Sequence, residues 1–261
     1  MIVALLLLIL AGVYFFWKYP ALRKTWYWLP RKGWAVVMYH HIDTRETSDP
    51  QFPFTITPQL FEKHLLFLKQ NGYTPVSQDE VIRALQTGRS FIQKPVLLTF
   101  DDGHEDNYTH LFPLLQKYQV PVLIFLITDN MGTPGYLTWP QVQEMQKSGL
   151  VAFGSHTCSH RRLRDLTEKE MMQEITQSKK VLEEKLGVPA VSFCYPFGSG
   201  SHDKHVRPLV LKAGYLLDFS TQKGINPWPW KGKKSIMRTS PLAWETLWDY
   251  HLQLTRGRSR L

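Results

Sequence analysis

Two neighbouring carboxylates stand at the end of an apolar run, in Thr99-Phe100-Asp101-Asp102-Gly103 after Pro95-Val96-Leu97-Leu98. Such a run reads as a buried strand, and the glycine behind it lets the backbone turn sharply. Successive side chains on a strand point to opposite faces, so Asp101 and Asp102 need different partners. A lone Asp-Asp-Gly is commonly just a polar turn. Here a second cluster, His156-Thr157-Cys158-Ser159-His160, follows another apolar run, Leu150-Val151-Ala152-Phe153. Two imidazoles four positions apart meet on one side of a helical turn, where they suit one metal ion. Two histidines and a carboxylate at strand ends match the ligand sets of hydrolytic metal sites, which leave a position for water. The expected chemistry is metal-assisted hydrolysis, with one carboxylate on the metal and the other free to titrate.

A third strand end carries Phe193-Cys194-Tyr195-Pro196-Phe197-Gly198. With these three motifs in order, the sequence resembles the polysaccharide deacetylases of carbohydrate esterase family 4, the NodB-homology domain. That family's T-F-D-D-G and H-[ST]-x-x-H motifs stand unaltered, and its R-x-P-Y-G motif stands here as C-Y-P-F-G. The resemblance runs from about residue 34 to about residue 240 and includes Val36-Val37-Met38-Tyr39-His40-His41-Ile42 at the front. The M-Y-H-H-I opening and the third motif without its arginine look most like the subgroup of biofilm poly-N-acetylglucosamine deacetylases. The resemblance implies a distorted (β/α) barrel with fewer than the usual eight strands. It also implies a metal-dependent hydrolase that removes N-acetyl groups from the amino sugars of a polysaccharide.

An N-acetyl amide is a poor electrophile, so a metal must activate water and polarise the carbonyl while a base takes the water's proton. The resemblance makes Asp101 that base and Asp102, His156 and His160 the metal ligands. Zn²⁺ suits imidazole and carboxylate donors, with Co²⁺ or Ni²⁺ as substitutes. The family's oxyanion donor, a backbone N–H in its third motif, falls on Phe197, where a change of side chain leaves the donor intact. Pro196 and Gly198 shape that turn, and Thr157 and Ser159 are expected to cap the turn between the histidines. The motif arginine that orients the base in many members is Cys194 here, and a thiol cannot make a bidentate contact with a carboxylate. Arg238 either supplies that contact from another direction or lies on the surface. For the general acid, His40, His202, His205 and His251 are candidates. His40 is preferred because it ends the first strand. Tyr195, Pro196, Asp218, Trp228 and Trp230 are expected to contribute to the sugar groove, with a packed loop or a membrane-facing rim as the alternatives for the tryptophans.

These residues must be positioned by an α/β scaffold. Strand-like runs at 34–39, 95–100, 121–127, 150–154, 191–195 and 214–219 alternate with helical stretches at 58–70, 111–118, 139–148, 167–186 and 206–213. Thr167 and Glu170 form a capping box at the start of the longest helix. That alternation predicts parallel strands with helices outside and active residues at the strands' C-terminal ends, where all three motifs sit. No repeat of fixed period points to a solenoid. Residues 34–261 suit one catalytic domain.

Residues 1–17 read as a transmembrane anchor, since Ile2 to Trp17 is uncharged and apolar, and 18–33 as a basic and aromatic juxtamembrane linker. The run is slightly shorter than a usual span of about 20 residues, although interfacial aromatics and snorkelling lysine extend it. A cleavable signal peptide fits less well, because no basic residue precedes the run and no small-residue cleavage site follows. Positive charge after the anchor favours a cytoplasmic domain, whereas a finished polysaccharide substrate requires an outward-facing one. The outward arrangement is preferred on substrate grounds. A net charge of +9 favours an acidic membrane surface or an anionic glycan or lipid-phosphate carrier, with local concentrations at 231–234 and 256–260, the latter equally a solvated tail. No nucleic-acid motif accompanies that charge. The two cysteines, Cys158 and Cys194, are too few for a disulfide framework. Two other functions remain open: deacetylation of a lipid-linked amino sugar at the cytoplasmic face, and a non-catalytic carbohydrate-binding protein of the same fold.

Overall fold

The computed structural model describes residues 30–88, 93–228, 232 and 234–259, together with Gly12, Tyr14 and Lys18. The expected anchor apart from Gly12 and Tyr14, most of the linker and Trp230 therefore lie outside the described residues. Among the described residues no helix is long and apolar enough to cross a membrane. The elements are β1 (Ala35–Tyr39), β2 (His41–Ile42), β3 (Thr55–Ile56), α1 (Pro58–Gln70), β4 (Thr74–Pro75), α2 (Gln78–Thr87), β5 (Pro95–Phe100) and α3 (Phe112–Tyr118). They continue with β6 (Val122–Leu126), α4 (Trp139–Lys147), β7 (Val151–Ser155), α5 (Glu168–Leu186), β8 (Ser192–Cys194), α6 (Val206–Lys212), β9 (Leu217–Phe219) and α7 (Leu247–Arg256).

In the main sheet β1, β5, β6, β7, β8 and β9 follow one another, all parallel, and β4 pairs with the start of β5. The sheet curls into a half-barrel whose open seam is spanned by residues 235–239. Ile236 bridges to Phe219 of β9 and Thr239 to Val37 of β1. Between those bridges the Asn226 side chain takes both backbone groups of Met237, its Nδ2 donating to the carbonyl and its Oδ1 accepting from the N–H, each at 2.8 Å. A side-chain amide thus stands in for a strand partner, and the backbone groups stay paired.

Alternation along β1 separates two cores. Ala35, Val37 and Tyr39 face the helices together with Phe61, Leu65, Leu98, Phe100 and Ile124. Trp34 and Val36 face the barrel interior with Leu97, Leu123, Phe125, Phe219 and Ile236. A third cluster, including Ile175, Phe193, Tyr195 and Tyr215, seats α5 and α6. The helices begin at capping side chains, Thr167 with Glu170 on α5 and likewise Ser77 with Glu80 on α2, a helix that the apolar runs alone do not announce. α3 starts at Phe112 because residues 107–111 form a wider turn, in which Asn107 Nδ2 reaches the His40 carbonyl at 3.1 Å.

The interior has little slack at β7. A methyl group on Gly154 would stand 2.8 Å from the Phe125 ring and 2.9 Å from the Ser192 carbonyl oxygen. Gly154→Ala should therefore destabilise the domain by about 1–3 kcal/mol through overpacking, measured by urea unfolding. A variant as stable as the parent would contradict this packing.

Candidate active site

Leu97, Thr99 and Asp101 share the inner face of β5, so Asp101 projects over the barrel interior. Its partner comes from the seam. Arg238, fully buried, donates from Nη1 to Asp101 Oδ1 (2.6 Å) and from Nη2 to Asp101 Oδ2 (2.8 Å). The same guanidinium reaches Thr99 Oγ1 (3.2 Å), Cys194 Sγ (3.0 Å) and the Ser220 carbonyl (2.9 Å), which occupies all of its N–H donors. Cys194, at the position of the family's motif arginine, makes a thiol contact to Asp101 Oδ2 at 3.6 Å. Burial would raise the Asp101 pKa, but the Arg238 charge and hydrogen bonds outweigh it and hold the carboxyl below its ordinary range. Burial pushes the Cys194 thiol well up, so it stays neutral. Both cysteines are free thiols.

Strand alternation alone would send Asp102 to the helix side. Its φ of 76°, followed by the same value at Gly103, turns the chain back over the mouth of the barrel. Asp102 Oδ1 then lies 3.4 Å from Nε2 of His156 and 3.4 Å from Nε2 of His160. That oxygen is buried and has no hydrogen-bond partner. His156 Nδ1 sits 2.9 Å from the Cys194 carbonyl, which can only accept, so Nδ1 carries the proton and Nε2 offers a lone pair to the cluster. Burial, and after it the neighbouring His156, push the His160 imidazole down to about 4, leaving it neutral as a metal ligand must be. For Asp102, burial acts to raise the pKa, but a hydrogen bond from His104 and the nearby imidazoles carry it far below the usual carboxylate range. A buried, unsatisfied oxygen facing two imidazoles fits a divalent cation.

The two histidines do not share a helical turn. Thr157 (φ 70°) and His160 (φ 59°) both lie in the left-handed region, and residues 156–160 form an irregular loop. Glu174 of α5 pins that loop by accepting the N–H groups of Cys158 and Ser159, each at 2.9 Å. Thr157 Oγ1 accepts the His160 N–H at 3.1 Å. Glu174 carries no sequence signal of this role, because it lies 14 residues past His160 on a helix face. His104 is also outside the sequence expectations. Its Nε2 stands 3.3 Å from Asp102 Oδ2, and its ring stacks at 3.7 Å on His41, whose Nδ1 meets Asp106 Oδ2 at 2.6 Å. The only hint was a histidine one residue beyond the Asp-Asp-Gly.

His40 ends β1 beside these groups, its ring 5.4 Å from Phe54. Burial lowers its pKa, while the Asp101 and Asp102 charges push the other way. His251 lies on α7, stacked on Trp248, and His202 and His205 lie in the loop before α6. Phe197 has φ 55°, and its exposed ring lies 4.6 Å from His160 with the Arg162 guanidinium 4.3 Å from the ring centre. Four expected groove residues are placed elsewhere. Tyr195 and Pro196 are buried, with Tyr195 Oη donating to Asp218 at 3.1 Å. Asp218 is fully enclosed and bound by Arg207 and Ser235, so no sugar reaches it. Trp228 packs against the interior cluster of Trp34 and Val36, where Asn226 pairs with Trp34 at the start of β1, the opposite end from the mouth. An aromatic beside proline serves here as a plug for the barrel's closed end.

A parallel half-barrel with an acid pair and a histidine pair at its open end has the fold of the deacetylase half-barrels and a ligand set able to hold a metal ion. Residues 88–217 match the family described as polysaccharide deacetylase, and the chain belongs to that family. The Bacillus subtilis protein YxkH, which bears the same family name, is 30% identical over 189 residues, covering 72% of this chain and 64% of its own. The poly-beta-1,6-N-acetyl-D-glucosamine N-deacetylase of Escherichia coli K12 is 33% identical over 143 residues, covering 49% of this chain and 21% of its own. The chain thus spans less than two thirds of either relative's length. Among solved structures, the Streptococcus pyogenes deacetylase PplD in complex with acetate superposes with a TM-score of 0.77 at 28% identity, covering 87% of this chain and 99% of that one.

The Arg238 contact gives a pH-dependent stability. A carboxyl whose pKa is depressed on folding contributes stability that is complete above its unfolded pKa of about 3.9 and is lost as pH falls through the folded value. Arg238→Ala should cost about 3–5 kcal/mol at neutral pH by stranding a buried charge. The gap to the parent should narrow toward pH 4 and below, as Asp101 takes up a proton. Urea unfolding at both pH values measures it, and a pH-independent gap would exclude the pairing as its source.

Proposed function

We propose that the chain hydrolyses N-acetyl groups from the amino sugars of a poly-N-acetylglucosamine-type polysaccharide, using a divalent ion held by Asp102, His156 and His160. The carrying observation is how differently two adjacent carboxylates are treated. Asp101 is locked into a bidentate pair, and Asp102 is turned onto two imidazoles with an oxygen left over. The activity for which the Escherichia coli relative is named supports the substrate class. Zinc is our choice of ion, because tetrahedral ligands about 2.1 Å from zinc stand about 3.4 Å apart. The separations from Asp102 Oδ1 to both imidazoles are 3.4 Å. Cobalt or nickel suits the same donors.

The bound ion would polarise the amide carbonyl and acidify water in the site. Asp101 takes the proton from that water. Its depressed pKa keeps it ionised at neutral pH but makes it a weak base, so it depends on water that has already been acidified. Arg238 fixes which lobe of the carboxylate faces the mouth. The Phe197 N–H, aimed by its left-handed turn, donates to the developing oxyanion, and its side chain takes no part in that bond. His40 then passes a proton to the leaving amine. Burial outweighs the Asp101 and Asp102 charges and lowers its pKa, so a proton held there is readily given up.

Acetate release from N-acetylated glycans and glycolipids, with and without added divalent metal, tests this reading. Asp102→Ala should lose both bound metal and activity while staying folded. Asp101→Asn should keep its metal and lose turnover by about 100-fold or more. Full metal content and full activity in a variant lacking all three ligands would end the proposal.

For location, we infer a membrane anchor at 2–17 with the catalytic domain outside. The uncharged apolar run supports the anchor. Arg31 donates its backbone N–H to the Thr255 carbonyl (2.8 Å) at the end of α7, so the chain enters the domain at the barrel's closed end. Protease added to intact spheroplasts should digest the domain. Protection until the membrane is broken would favour the lipid-linked substrate at the cytoplasmic face instead.

A further inference from the structure

A groove starts at Phe197, on the lip of the active site. Its first part, a cavity of about 600 Å³, runs from Arg162, Arg164 and Phe197 along the turn at 198–203. A second cavity of about 790 Å³ shares Ser201, His202 and Asp203 with the first and ends at Lys204, Arg207 and Lys234. The inner end is part of the site itself, since the Phe197 ring bridges His160 and Arg162. The far wall is fixed by a buried clamp. Asp218 accepts from Arg207 Nε (2.8 Å) and Nη2 (3.0 Å), from Tyr195 Oη (3.1 Å) and from Ser235 Oγ (2.5 Å), while Arg207 Nη2 also reaches the Gly232 carbonyl (2.7 Å). That carboxylate ties β9, the third-motif turn, Gly232 and Ser235 into one unit.

The lining carries an excess of positive charge. Arg162, Arg164, Lys204, Arg207 and Lys234 line it with Asp165 and Asp203, and Arg207 is already held by the buried Asp218. Asp203 is already paired with Arg164 at 3.3 Å. A neutral glycan draws nothing from this excess, and the cationic amine left by deacetylation is repelled by it. Phosphate and carboxylate groups are the natural complement of clustered arginine and lysine. We infer that the groove from Phe197 to Lys234 binds an anionic segment of the glycan, bearing phosphate or carboxylate groups on sugars flanking the one that loses its acetyl group. The inference rests on the deacetylase reading and specifies its substrate class.

The test compares an N-acetylglucosamine pentamer with the same pentamer carrying phosphate on its flanking sugars. Both kcat/KM for acetate release and binding by calorimetry are measured at two salt concentrations. The phosphorylated pentamer should be preferred by about ten-fold at low salt, and the preference should shrink as salt rises. Lys204→Glu combined with Lys234→Glu should remove the preference, and Lys204→Arg should keep it. Equal binding and equal turnover of the two pentamers by the parent would overturn the inference. If neither pentamer loses acetate, the deacetylase reading fails, and calorimetry still decides whether the groove prefers the anionic chain. Vesicles of anionic lipid form the last arm. Lysine-dependent binding to them, without preference between the pentamers, would make this a membrane-facing surface and overturn the inference.

Discussion

A buried ion pair that must be satisfied from all sides organises this molecule. Asp101 and Arg238 lie inside the barrel, where a charge without a partner costs several kcal/mol. Their contacts recruit neighbours from separate elements: Thr99 from β5, Cys194 from β8 and the Ser220 carbonyl just past β9. The seam segment is held against both edge strands by single bridges, and the guanidinium reaches across the interior to β5. Closure of the half-barrel and orientation of the Asp101 carboxylate are thus one arrangement. A thiol at Cys194 fits it because sulfur accepts from the guanidinium and contacts the carboxylate without bringing a second positive charge.

The proposed metal site of Asp102, His156 and His160 depends on the opposite device, a chain that leaves regular structure. Asp102, Thr157, His160 and Phe197 all adopt positive φ without being glycine. Strain of this kind persists when surrounding contacts over-determine it. Glu174 holds the histidine loop, His104 contacts Asp102, and the Cys194 carbonyl sets the His156 tautomer. The carbonyl of the residue whose thiol serves Asp101 thereby orients a ligand of the neighbouring site. The two halves of the chemistry are coupled through one residue of β8.

Much of this was legible in the sequence, and the reasons are physical. Buried parallel strands are continuous apolar runs, so β1, β5, β6 and β7 stand out, and motifs at their ends necessarily gather at one mouth. Arg238 was visible only as a candidate, because a partner delivered across a seam has no fixed spacing from Asp101. Asp218 and Tyr195 were misplaced in the groove since polarity near a motif does not reveal which way a side chain turns. β9 and β8 are three residues each, too short for alternation to tell inside from outside. The histidine pair was read with helical spacing, whereas two left-handed residues bring the rings together in a loop.

The attachment at Arg31 has a mechanical meaning. The backbone enters beside the end of α7, and β1 then runs its five residues away from that point to deliver His40 at the mouth. At about 3.3 Å per residue a strand of that length is about 17 Å long. Chain entry at Arg31 and the reacting groups therefore lie at opposite ends of β1. Under the anchor proposed above, the mouth would point away from the membrane, toward glycan strands passing at some height.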